Sequence, residues 1–159
     1  MKTIFVFLLL LSFGFNRLFR QPSFDRTLFY TALTGQNLNE INSELTELTA
    51  ESGKEAFRGA LLMKKAGMMP QAKDKLHLFK TGHAQLEKAI TGDSTNAEFR
   101  FLRLLIQEHA PALMNYHHDL KKDASYIRKN YNRLPAVVQN AVFNYSKTST
   151  ELKPGDFKN

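Results

Sequence analysis

The chain contains no cysteine, which excludes a disulfide framework, a thiolate zinc site, a cysteine nucleophile and a lipid attached through an N-terminal cysteine. The absence suits an oxidising compartment and the cytosol alike, so it does not fix a location. Alternation of apolar and polar residues is also missing over any long run, whereas apolar spacings of three and four recur throughout. The predicted fold class is therefore all-α, a single bundle of about six or seven helices. No Gly-x-Ser-x-Gly elbow, His-Glu-x-x-His helix or phosphate-cradling glycine loop occurs, and the enzyme classes that depend on them are excluded.

What remains is enough for one domain: 159 residues, of which 43% are hydrophobic, supply the apolar surface of a core. The net charge of +7 is unevenly spread. Residues 25–55 hold two basic residues against six acidic, whereas residues 56–103 hold nine basic against four acidic. Such asymmetry steers an anionic partner, although basic and acidic residues are interleaved rather than segregated into runs.

Met1 and Lys2 make a short basic start, and Ile4 to Leu11 is an unbroken apolar run with the length of a secretory h-region. With Ser12 and Gly14 as small residues before a cut, residues 1–14 are expected to be a signal peptide cleaved after Gly14. Arg17 and Arg20 oppose translocation, so an uncleaved anchor reaching to about residue 20 is the competing expectation. The run is shorter than the roughly 20 apolar residues that span a bilayer, and it has no polar face with which to lie on a soluble core. Export to the periplasm or the extracellular space follows, and a membrane enters only through this segment if it stays uncleaved.

An all-α domain is expected over residues 23–146. Ser23 or Asp25 caps a first helix that stops at Gly35, and Asn37 with Glu40 caps a second through Leu38, Ile41, Leu45 and Leu48. Ser52 with Glu55 forms a capping box for a third helix, where Gly59, Ala60 and Ala66 allow close approach of a neighbour. Pro70 opens a fourth helix with Leu76, Phe79, His83, Leu86 and Ile90 on one stripe. Thr95 and Glu98 form a further capping box, before a helix in which only Arg100 and Arg103 interrupt the apolar run from Phe99 to Ile106, with Gln107 next on their stripe. That helix belongs at the centre of a bundle, with its arginines emerging on one exposed edge. Pro111 ends it, a sixth helix follows through Tyr116, Leu120, Ala124, Ile127 and Tyr131, and Pro135 opens the last. Residues 147–159, polar and carrying Pro154 and Gly155, are expected to be a flexible tail.

The run Gly82, Leu86, Ala89, Ile90 and Ser94 resembles the second helix of a tetratricopeptide-like hairpin, with serine in place of the turn proline. Phe99, Leu102 and Ile106 look like the first helix of a following unit. The likeness covers about residues 52–107, without a second copy at the period of roughly 34 residues that an array would show. It implies a helical interaction scaffold that holds a protein or peptide partner in a groove, and it brings no ligand-contact residues with it. The layout of signal, capped hairpins and the stretch from Asn96 to Ala110 also resembles small exported bacterial proteins, a likeness that carries no activity.

Five histidines, His77, His83, His109, His117 and His118, invite a metal site, but none pairs with another at the one-turn spacing of a helical chelate, so no metal ligand and no cofactor is assigned. Glu87, Glu98 and Glu108 could supply a hydrolytic carboxylate pair, while capping and solvation account for them more simply. The basic edge is the more physical lead. Arg100 and Arg103, with Lys121, Lys122 and His109, are the candidate residues for binding a carboxylate, phosphate or acidic peptide. Asp119 and Asp123 interrupt the lysine pair and no aromatic-basic pattern of an RNA-binding module is present, which argues against nucleic acid. Three functions follow: an exported binding or scaffolding module of the cell envelope, a small envelope enzyme with an unfamiliar constellation, or a polyanion binder.

Overall fold

The helix ends are set by short polar side chains that satisfy the first orphan N–H groups. Asp25 accepts from the amides of Thr27 and Leu28 and starts α1, Arg26–Thr34, which closes at Gly35. Asn37 accepts from the Asn39 amide and donates to Glu40 at 2.9 Å, starting α2, Leu38–Ala50. The chain continues through α3, Glu55–Met68; α4, Ala72–Gly92; α5, Ala97–His109; α6, Leu120–Asn130; and α7, Ala136–Ser146. Short 3-10 turns lie at Ala112–Met114, Tyr131–Arg133 and Pro154–Phe157. This computed structural model describes residues 24–50 and 53–157, and within them the fold is all-α, with no strand. The expected signal segment, and Ser23 and Ser52 as caps, lie outside the described residues.

Two capping expectations need correction. Helix α3 begins at Glu55 with Lys54 at its cap position, so its start falls later than a Ser52 capping box would place it. Asn96, not Thr95, caps α5 by accepting from the Phe99 amide at 3.1 Å. Glu98 is thereby released from any capping task, and it turns inward to accept from Arg26 Nε at 2.9 Å and from the Tyr30 hydroxyl at 3.1 Å. That cluster ties α1 to α5 across the core.

Helices α3 and α4 make the most extensive pairing in the bundle. Gly59 and Gly82 explain it, because a Cβ on Gly59 would lie 2.6 Å from the Gly82 carbonyl oxygen, and one on Gly82 would lie 2.5 Å from that of Gly59. The two backbones touch where no side chain intervenes, and ordinary ridges-into-grooves spacing would hold them further apart. Three residues, Met69–Gln71, connect the two helices, so they run as an antiparallel hairpin.

Helix α5 lies at the centre, with every residue from Phe101 to Gln107 buried. Around it runs an aromatic series: Phe29 and Phe57 meet edge to face at 5.1 Å, Phe57 meets Phe99 at 5.8 Å, and Phe101 meets Tyr30 at 5.9 Å and Tyr145 at 5.8 Å.

The segment after α7 is not a free tail. Leu152 is fully buried, and Phe157 packs on Tyr131 with ring centroids 4.5 Å apart. Glu108 holds the segment by accepting from the Ser149 hydroxyl at 2.8 Å and from the amides of Thr150 and Glu151 at 3.1 and 2.9 Å. A polar sequence can dock when one part-buried carboxylate collects its donors.

Candidate functional site

The residues expected to form a basic edge do not come together. Arg100 and Arg103 are 8% and 5% exposed, and both turn into the interface between α5 and α6. Asp123, fully buried on α6, accepts from Arg103 Nε at 2.6 Å and from Arg100 at 3.0 Å. Arg103 also reaches Glu87 of α4 at 2.9 Å and Asp119 at 3.3 Å, while Arg100 donates twice to the Ser94 carbonyl and lies 4.5 Å over the Tyr126 ring. Burial disfavours the Arg103 charge, but hydrogen bonding to Asp123 and the fields of Asp123, Glu87 and Asp119 outweigh it and raise its pKa.

The physical reason for the correction is plain. Arg100 and Arg103 face other helices from the central helix, so their guanidinium groups need partners inside the bundle, and Asp123 serves both. Its signal was present in the sequence. Asp123 falls on the stripe of Leu120, Ala124 and Ile127, and a carboxylate on an apolar stripe marks a buried partner. Gln107, on the same side of α5, is fully buried, and neither of its amide atoms has a hydrogen-bond partner.

Tyr116 completes this side. Its hydroxyl donates to Glu87 at 2.5 Å, and its ring stands edge-on to His83 at 4.6 Å. Burial, then the bond to Glu87, pushes its pKa far above the ordinary phenol value. Lys121 and Lys122 point outward from α6, where Lys122 approaches Asp119 only to 3.9 Å.

The three glutamates considered for hydrolysis are occupied separately: Glu87 by Arg103 and Tyr116, Glu98 by Arg26 and Tyr30, Glu108 by Tyr145 and the C-terminal segment. Among the described residues, no group of three or more potential ligands is placed to hold a metal ion.

A concavity lies elsewhere, between the C-terminal ends of α1, α3 and α5, the first half of α4 and the end of α7. It has a volume of about 510 Å³. Leu33, Met63, Ala66, Met68 and Phe79 wall one side, and Leu105, Ile106, Ala110, Met114 and Tyr145 the other. Its polar lining comprises Thr34, Gln36, Lys64, Lys75, His109 and Thr148, with no carboxylate among them.

Of the candidate residues, only His109 reaches this pocket. Its Nδ1 lies 2.9 Å from the Leu105 carbonyl oxygen, which can only accept, so Nδ1 carries a proton and Nε2 is the basic nitrogen of the neutral ring. Lys64 is half-buried, its ammonium group makes no hydrogen bond or ion pair with the described residues, and burial lowers its pKa. Sequence reasoning missed Lys64, Lys75 and the pocket itself, because its walls come from five helices far apart in the chain.

Comparison of the chain with known protein families, with curated proteins and with solved structures finds no match. No helix among the described residues is long and apolar enough to cross a membrane.

Proposed function

We propose that this chain is an exported, tetratricopeptide-like helical binding module of the cell envelope that holds a partner in the pocket between α1, α3, α4, α5 and α7. The observation that carries the reading is the pocket of about 510 Å³, apolar in its walls and without a carboxylate. Its volume falls in the range of about 300–1,000 Å³ common to ligand sites. The backbone contact of Gly59 and Gly82 supports the hairpin likeness, since small residues at such a crossing are what the resemblance requires. Export rests on Lys2, the apolar run to Leu11 and the small residues Ser12 and Gly14.

The alternatives have less support. A hydrolytic carboxylate pair would have to converge on the pocket, and Glu87, Glu98 and Glu108 do not line it. A polyanion binder built on the predicted basic edge would draw on Arg100 and Arg103, and their guanidinium groups are engaged inside the fold.

Titration of the full chain with Nile red, a neutral dye that brightens in apolar surroundings, tests the binding reading. A Cβ built on Gly67, which lines the pocket, meets nothing within 4 Å, so Gly67→Phe sets a large side chain on the pocket's wall without a clash at its Cβ. Saturable uptake of one dye per chain, lost in G67F with unchanged helix content, is the expected result; uptake that G67F leaves intact would overturn the pocket as the site. Mass spectrometry of the N-terminus from cell fractions tests export, with a chain beginning at Phe15 outside the cytosol expected and an intact Met1 in the cytosol contradicting it.

A further inference from the structure

The pocket holds apolar walls and uncompensated positive charge together. Lys64, half-buried near the end of α3, and Lys75, exposed in the first half of α4, both line it, and neither ammonium group has a hydrogen bond or ion pair with the described residues. The buried charges among the described residues are all paired: Glu98 with Arg26, and Arg100 and Arg103 with Asp123. A half-buried ammonium without an acceptor is costly to the fold, and an arriving anion offsets that cost. Leu113, next to Met114 in sequence, is 95% exposed, and Leu76, next to Lys75, is 43% exposed.

Resting on the binding reading above, we infer that the ligand is an amphipathic anion, an alkyl chain with a single anionic head, its chain among Met63, Phe79, Ile106 and Met114 and its head at Lys64 and Lys75. A cationic amphiphile is disfavoured by the same two lysines, and a neutral one leaves Lys64 without a partner. The walls are flexible thioethers, aliphatics and one phenylalanine, which accommodate a chain without dictating its shape.

Displacement of Nile red from the full chain by decanoate, decanol and decylammonium reads the inference directly. Decanoate is expected to bind at least about tenfold tighter than decanol, the scale of one charge-assisted hydrogen bond, and decylammonium weakest of the three. Lys64→Met with Lys75→Met should erase the preference while dye uptake persists, because neither substitution removes a partner from any group in the fold. Lengthening the carboxylate from six to ten carbons should tighten binding by up to about fourfold per methylene. Equal binding of decanoate and decanol, or a preference that survives the double substitution, overturns the anion inference and leaves the binding reading standing. Absence of dye uptake overturns both.

Discussion

Two sides of this bundle treat charge in opposite ways. Between α4, α5 and α6, Arg100 and Arg103 meet Glu87, Asp119 and Asp123 at hydrogen-bonding distances in a nearly closed network. At the far end of α3 and α5, Lys64 and Lys75 border an apolar pocket with no acidic side chain in its lining. The first arrangement spends its charges on holding helices together, and the second leaves them available to a ligand. A basic residue's functional value therefore depends on whether the fold has already supplied its partner, which net charge does not reveal.

The comparison breaks most visibly at Asp123. Asp123→Ala leaves two buried guanidinium groups without their shared acceptor, and a loss of about 3–5 kcal/mol in denaturant-unfolding stability is expected. Next in size is Gly82→Ala, which drives a Cβ to 2.5 Å from the Gly59 carbonyl oxygen. It should cost about 1–3 kcal/mol by overpacking and also weaken dye uptake, since the same hairpin walls the pocket.

Glu108 offers a comparison in pH. Burial pushes its pKa up, but the bonds from Tyr145, Ser149, Glu151 and Thr150 prevail and hold it below the ordinary carboxylate value of 4.5. A depressed carboxylate contributes stability that is complete above its unfolded value and is lost as pH falls through its folded value. Acid should therefore release the C-terminal segment, followed by amide hydrogen exchange at Leu152, and Glu108→Ala should give about 1–3 kcal/mol of the same loosening at neutral pH.

The smallest effect sharpens the contrast from the other side. Lys64→Met removes a charge that has no partner in the fold, so stability should stay within about 0.5 kcal/mol or rise slightly, as at other positions without a specific interaction. A large loss would mean that Lys64 holds the structure together in the manner of Arg103.

The all-α class was legible in the sequence because local signals agree with the packing. Asp25 and Asn37 cap the helices their positions suggest, and Gly59 marks the helix contact it permits. Two of the differences share one cause. Local polarity suggests an exposed edge for Arg100 and Arg103 and a free tail, and in each case a distant partner decides: Asp123 for the arginines, Glu108 for Ser149 and Thr150. The pocket was illegible for the same reason, since Leu33, Met63, Phe79, Ile106 and Tyr145 meet only after α1, α3, α4, α5 and α7 have packed. Periodicity reports which face of a helix is apolar, but not where two apolar faces fail to meet.

The division of labour between the two sides is tested most directly by titrating decanoate into isotopically labelled protein and following the backbone amide resonances. The expected result is that Leu33, Gly67, Phe79, Ala110 and Thr148 shift together and saturate while Glu87, Arg103 and Asp123 stay still; shifts centred on Arg103 and Asp123, with the pocket residues unmoved, would contradict the account.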